Sequence, residues 1–455
     1  MKQGQVFEKS VVLPESVEAA FAWHERRGAV ERMMPPWQRA TVTKRKGTIE
    51  DGGEVEFELH FGPLRTPWLA RHFGYQKNKQ FCDEQVKGPF EKWVHLHRFE
   101  SLPGRQSRLT DRVDYIPPFS KLLKGYAEKN LKRVFHFRHA TLVSDLDFHR
   151  RYSQQPKRVL ISGASGFVGS QLVPFLTTGG HHVTRLVRKN AKEGEILWDP
   201  TKPLTNLAAY EGFDAVINLS GESIAGQKWT VEKKSSILES RVITTRHLAD
   251  ALSRLERKPS IFISTSASGF YGLGNGEQIL DESQGDAGRG FLADVCRQWE
   301  AAASPARMAG IRVVHPRFGI ILDPRGGALG AMLPAFRVGV AGRVGSGDQL
   351  MSWIALEDVI RGMLFCIHET SLEGPVNFVS PTPIRNTQFT KTLASVLRRP
   401  VGIPAPASFL KHFFGEMAED LLLDSKRVVP HKLSQARFPF EHTDLQATLA
   451  HLLGV

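Results

Sequence analysis

The stretch Val159-Leu-Ile-Ser-Gly163-Ala-Ser-Gly166-Phe-Val-Gly169-Ser-Gln-Leu172 decides the fold of the larger part of this chain. Arg158–Ser162 reads as a short apolar strand, and Val168–Leu176 reads as an apolar helix. Between them the glycines are spaced G-x-x-G-x-x-G. A strand feeding such a loop, with a helix leaving it, is the context in which the pattern binds a dinucleotide. Gly163 allows the tight turn. Gly166 lets the backbone approach a pyrophosphate, and Gly169 lets the helix pack close to the strand. The helix start then offers free N–H groups and a positive dipole end to phosphate. Ser165, Phe167 and Val168 complete the candidate cofactor loop.

Downstream, strands alternate with helices. His182–Leu186, Ala215–Leu219, Ile261–Ser264 and Arg312–Pro316 read as strands; Ile237–Leu255 and Asp294–Ala303 read as helices. This order predicts a doubly wound parallel sheet, an α/β Rossmann fold. An acidic residue about 20 positions past the glycines binds the ribose hydroxyls of NAD. Here Arg188 and Lys189 stand 19 and 20 residues after Gly169. Two cations suit a 2′-phosphate, so the expected cofactor is NADP(H).

Upstream the pattern changes. Val6–Leu13 alternates, and Pro14-Glu-Ser16 opens a helical stretch to about Arg26. Ala40–Arg45, Glu54–Leu59, Leu69–Gln76, Gln80–Lys87, Lys92–Glu100 and Leu109–Ile116 then read as strands bounded by turns. Val55, Phe57, Leu59 and Phe61 fall on one face of a period-2 run. From Phe119 to about Val134 the period turns helical, with Leu123, Ala127, Leu131 and Val134 in one stripe. The polar segment Arg150–Pro156 reads as a linker. The expected domains are 1–150, an α+β helix-grip domain; 157–399, the Rossmann domain; and 400–455, a small C-terminal lobe.

The 455 residues carry 41% apolar and 24% charged side chains, which suits two or three globular domains. Three widely spaced cysteines exclude a disulfide framework and fit a reducing, cytoplasmic compartment. The first residues lack an apolar signal region, and no run is long and apolar enough for a transmembrane helix. The net charge is +13. Residues 1–156 hold 27 Lys and Arg against 19 Asp and Glu, but the two signs are interleaved. That is a solvated face rather than a nucleic-acid surface. His181-His182 and His95-x-His97 lack partner ligands in the sequence, so no metal is expected.

The glycine loop, Asp214-Ala-Val-Ile-Asn-Leu219-Ser-Gly, Ser264-Thr-Ser-Ala-Ser-Gly-Phe-Tyr271-Gly and Trp353-Ile-Ala-Leu-Glu-Asp358 resemble extended short-chain dehydrogenases/reductases (SDRs). Gly221-Glu-Ser-Ile-Ala-Gly, Phe291-Leu-Ala-Asp-Val-Cys-Arg-Gln-Trp-Glu300 and Pro316-Arg-Phe-Gly-Ile-Ile-Leu narrow the resemblance to the atypical SDR "epimerase family". It spans about Lys157–Val455. The strand and helix order of the first third, with Phe7-Glu-Lys-Ser and Arg112-Val-Asp-Tyr, resembles START/Bet v1-like (SRPBCC) domains. That resemblance implies a cavity for a hydrophobic ligand, with a filled core as the alternative. The epimerase-family resemblance puts Arg188 and Lys189 at the adenosine phosphate. It puts Leu219 and Ser220 along the adenine–ribose path, makes Arg241 a cofactor-contacting arginine, and places Phe318 and Gly319 near the nicotinamide.

SDR catalysis uses a Tyr acid, a Lys four residues later and a Ser or Thr on the same substrate oxygen. Counting back from Trp299-Glu300 puts Cys296 in the Lys position and Leu292 in the Tyr position. The standard dyad is absent. Tyr271 or Asp294 could act as the acid, Ser266 could bind the oxygen, and Cys296 could act if its pKa were depressed. Otherwise the protein binds NADP(H) without turnover. The expectation is an NADP(H)-dependent oxidoreductase or epimerase acting on a small apolar carbonyl or hydroxyl compound. Its alternative is a non-catalytic NADP(H)-binding regulatory protein. The expected partners are a small-molecule substrate and a hydrophobic ligand in the N-terminal domain, with no nucleic acid. A homo-oligomer is compatible with the sequence.

Overall fold

The computed structural model describes residues 4–61, 64–117 and 120–455. The chain forms two compact units. One comprises Met1–Pro156, Val173–His181 and His451–Val455; the other comprises Lys157–Leu172 and His182–Ala450.

The first unit is built on seven antiparallel strands: β1 (Gln5–Leu13), β2 (Ala40–Lys46), β3 (Glu54–Phe61), β4 (Leu64–Gln76), β5 (Gln80–Lys87), β6 (Lys92–Leu102) and β7 (Gln106–Ile116). Their order across the sheet is β1-β7-β6-β5-β4-β3-β2. Between β1 and β2 lies the helix Val17–Glu25, whose first turn is capped by Ser16 accepting from the Ala19 amide. Alternation puts one face of each strand inside. Val55 and Leu59 are buried there, and Phe57 packs against the cluster that holds Leu59; the Phe61 side chain lies outside the described residues.

A 33-residue helix, Ser120–Tyr152, lies along the inner face. At 1.5 Å per residue it is about 50 Å long. Leu131 and Phe135 join Phe7, Trp68, Trp93 and Tyr115 in one cluster, and Leu142 and Leu146 join Phe21 and Phe99 in another. The helix therefore runs 18 residues beyond the expected end at Val134. The stripe continues through Phe135, Leu142 and Leu146, masked in the sequence by the polar residues between them. The presumed linker is helical as far as Tyr152. Phe119 lies outside the described residues, as does the side chain of Leu123.

The second unit holds the parallel sheet. Its strands are β8 (Arg158–Ser162), β9 (His182–Val187), β10 (Glu195–Leu197), β11 (Ala215–Asn218), β12 (Ile261–Ser264), β13 (Ser266–Ala267), Arg312–Phe318 and Gly374–Phe378. The order is β10-β9-β8-β11-β12, then Arg312–Phe318, which pairs with both β13 and Gly374–Phe378. All these pairs are parallel. β11 and β12 are buried at every position, as strands covered on both faces require. The winding reverses at β8, and the crevice beyond the strand ends at such a switch point is where ligands bind.

Candidate functional site

The glycine loop leaves β8 at the switch point. Gly163 has φ +70°, and a Cβ there would lie 2.7 Å from the Leu219 carbonyl carbon. The turn closes through the Gly166 amide on the Gly163 carbonyl at 3.0 Å. A Cβ on Gly169 would lie 2.4 Å from the Gly163 oxygen. The helix Gly169–Thr178 can start against the loop only because that atom is missing. Its Ser170 and Gln171 amides turn back to the Gly166 and Val168 carbonyls at 2.9 and 3.1 Å, which closes the first turn onto the loop. Ser165 and Gly166 are exposed at the loop tip, while the Phe167 ring lies against Gly326 and Gly327.

The ends of β8 and β11 are tied together by side chains. Ser162 donates to Asn218 Oδ1 at 2.6 Å, Asn218 donates to Thr245 at 2.9 Å, and the Ser220 amide donates to the same Asn218 oxygen at 3.2 Å. This fixes Leu219 and Ser220 beside Gly163. Arg188 and Lys189 follow β9 and are exposed. Such a cradle, with amides, a glycine clearance and two cations, fits a dinucleotide phosphate.

Arg241 is held by its own helix and the neighbouring loop. Its guanidinium donates to the Ile237 carbonyl at 3.0 Å and the Glu222 carbonyl at 2.9 Å, and stacks 5.1 Å from the Trp299 ring. Phe318 meets the edge of Phe378 at 5.7 Å. Gly319 packs where a Cβ would lie 2.4 Å from the Ser352 oxygen. Glu222 pairs with Lys233 at 2.7 Å, and Trp229 donates to the Ile224 carbonyl, so both order their loop.

The three catalytic candidates sit near one another but are each engaged. Ser266 is buried and donates to Glu300 at 2.7 Å. Glu300 also accepts Arg317 through two bonds of 2.8 and 2.9 Å. Tyr271 is buried, shares its proton between Asn377 at 2.8 Å and the Asp281 carbonyl at 3.0 Å, and accepts from Arg317. Burial pushes its pKa up to about 12. Cys296 could act only with a depressed pKa, and its surroundings work the other way. Burial, with Glu300 adding to it, pushes the thiol up to about 11. Leu292 and Cys296 do lie against Gly269, so the dyad positions exist in space but carry apolar side chains. Asp294 is exposed and engaged with Arg297 and Gln298. Asp358, in the first turn of the helix Leu356–His368, accepts from the amides of Glu441 and His442 at 3.0 Å each.

The first unit contains the apolar cavity that the START-like resemblance implied, with a polar floor that sequence reasoning missed. A cavity of about 370 Å³ lies between the inner sheet face and the long helix, with Phe57, Trp68, Trp93, Leu131 and Phe135 among its walls. Asp83, His95 and His97 also line it. Strand register explains the meeting: Asp83 on β5 pairs with His95 on β6, and His97 pairs with Asp111 on β7. The His95-x-His97 pair therefore has partners after all. Burial pulls the His95 pKa down, but bonds and charge from Asp111 and Asp83 outweigh it and lift it to about 9. The same contacts hold Asp83 and Asp111 below the usual carboxylate range. The available signal was the period-2 histidine pair; the carboxylates came from other strands.

Fold and cradle define an NAD(P)-binding protein of the extended SDR class. Residues 159–378 match the NAD-dependent epimerase/dehydratase family, and 405–452 match a domain of unknown function. Residues 13–136 match the polyketide cyclase / dehydrase and lipid transport family. An epimerase family protein of Mycobacterium bovis is 38% identical over 294 residues, covering 64% of this chain and 96% of the relative. The chain belongs to the epimerase family, with an N-terminal polyketide cyclase-type domain. A solved nucleoside-diphosphate sugar epimerase from Corynebacterium glutamicum matches 98% of this chain and 90% of its own, at TM-score 0.82 and 33% identity. The human epimerase family protein SDR39U1, solved with NADPH, matches 65% of this chain and 99% of its own, at TM-score 0.60 and 29% identity. No helix among the described residues is long and apolar enough to cross a membrane.

Proposed function

We propose that this protein is a cytoplasmic NADP(H)-dependent oxidoreductase or epimerase whose substrate is a small apolar carbonyl or hydroxyl compound. The single observation that carries the cofactor choice is the pair Arg188 and Lys189 beyond β9, where an NAD-binding acid would stand. The NADPH in the human relative's structure supports it. In this reading Gly163, Ser165, Gly166, Phe167, Val168 and Gly169 receive the pyrophosphate. Leu219 and Ser220 border the ribose, and Arg241 orders the loop at Gly221 and Glu222. Bound NADP(H) supplies a hydride donor or acceptor at its nicotinamide. The chain is divided for this work into 1–150, 157–399 and 400–455.

Ser266 and Tyr271 belong to one network with Glu300 and Arg317. A substrate oxygen would have to take a hydrogen bond from that network. A second reading, NADP(H) binding without turnover, is favoured by Leu292 and Cys296 at the dyad positions. Titration of NADPH and NADH into wild type and Arg188→Ala/Lys189→Ala tests the cofactor assignment. The double variant should bind NADPH about 10–100-fold more weakly, with NADH unchanged. Equal binding of both nucleotides by the wild type would refute NADP(H) preference. Hydride exchange across a carbonyl panel separates the two functional readings.

A further inference from the structure

The cavity floor holds an arrangement that dinucleotide chemistry does not use. Asp83 Oδ2 lies 3.2 Å from His95 Nδ1 and 3.4 Å from His97 Nε2. The three donor atoms all lie within 4.8 Å of one another. Ligands around an ion at about 2.0–2.2 Å are separated by about 3–3.5 Å, so two of these edges have the spacing of a coordination sphere. The far nitrogens face a second carboxylate: Asp111 Oδ1 is 3.0 Å from His95 Nε2 and 2.8 Å from His97 Nδ1. Asp111 is held in turn by His139 Nε2 at 2.6 Å. A carboxylate behind a metal-binding histidine orients its ring and supports it as a ligand.

We propose that Asp83, His95 and His97 bind one divalent transition-metal ion at the floor of the cavity, with coordination positions left open to an oxygen donor on an apolar ligand. Two imidazoles and one carboxylate suit zinc, iron(II) or cobalt(II) rather than magnesium or calcium. A 2+ ion between Asp83 and Asp111 also compensates two carboxylates held near apolar walls. The walls select the apolar body of the ligand, and the ion takes its carbonyl, carboxylate or hydroxyl group. His24 is a second observation pointing to a ligand. It lines the cavity at 7% exposure, and its Nδ1 meets the Ala20 carbonyl at 2.8 Å. Nδ1 therefore donates, and the buried Nε2 lone pair is left without a hydrogen-bond partner among the described residues.

The test uses the untagged full chain, stripped with a chelator and titrated with Co²⁺ and Zn²⁺. One equivalent should bind, with Co²⁺ giving the visible absorption of a nitrogen–oxygen site. Asp83→Asn and His97→Ala should each weaken binding by at least about 100-fold, and Asp111→Asn by about 10–100-fold. Unchanged NADPH binding in each variant reports an intact second unit. No stoichiometric binding by the wild type overturns the proposal. So does binding at full strength in Asp83→Asn and His97→Ala. Where a variant does not fold, X-ray absorption of the Zn²⁺-loaded wild type decides: two imidazoles per zinc support the site, and any other number refutes it.

Discussion

In the dinucleotide cradle, Gly163 and Gly169 shape the site by what they lack; in the helix-grip cavity, Trp68, Trp93, Asp83 and the histidines shape it by what they add. The cradle's acting groups are backbone amides and exposed cations. The cavity's are buried side chains contributed by separate strands. Backbone sites tolerate changes of side-chain chemistry nearby but not an added atom. Side-chain sites tolerate small shifts of backbone but not loss of a charge.

The largest test of that contrast is Asp111→Ala. It removes the carboxylate that faces His95, His97 and His139 in a buried setting. Thermal unfolding of the first unit should show a loss of about 3–5 kcal/mol, with NADPH affinity unchanged. A parallel fall in NADPH affinity would break the contrast. Next comes Gly169→Ala, whose Cβ has nowhere to go but into the Gly163 oxygen. Overpacking of about 1–3 kcal/mol should weaken NADPH binding by about 5–100-fold in a fluorescence titration. A wild-type affinity would mean that the helix start is not the phosphate site.

Ser266→Ala is smaller. It removes one of the bonds to Glu300 but leaves the two-pronged Arg317 contact, so about 1 kcal/mol is expected in denaturant unfolding. If turnover on any substrate fell far more than stability, Ser266 would be acting on substrate rather than on Glu300. Cys296 is the smallest. With its thiol pushed up to about 11, it should react with a thiol reagent at neutral pH no faster than the fully buried Cys366. Rapid selective labelling of Cys296 would restore it as a reacting group.

How legible these features are in the sequence follows the same division. The glycine loop of the cradle lies within 14 consecutive residues, and its strand, loop and helix each carry a local signal. The doubly wound parallel sheet followed from alternation of short apolar strands with helices, while the strand order did not. The long helix was half seen, because Phe135, Leu142 and Leu146 are separated by polar and charged positions that hide the stripe. The cavity floor was not seen. His95 and His97 share a face by period 2, but Asp83 and Asp111 reach them only through the pairing of β5, β6 and β7. Composition and spacing along one strand carry no trace of a neighbour across the sheet. The catalytic candidates came from motif spacing alone, and their engagement with Glu300, Arg317 and Asn377 depends on residues up to 106 positions away.

The register of β5, β6 and β7 imposes a parity rule on change in this domain. The four floor residues lie on the inner face because each sits an even number of steps from its inward-facing strand neighbours. Inserting or deleting one residue inside any of these strands exchanges interior for exterior along everything that follows. Lengthening the turn at Pro103–Arg105, between β6 and β7, leaves the parity of both strands alone. Length variation in this domain should therefore collect in its hairpin turns, and a lineage that shortened β6 by a single residue would have turned its histidines out to water.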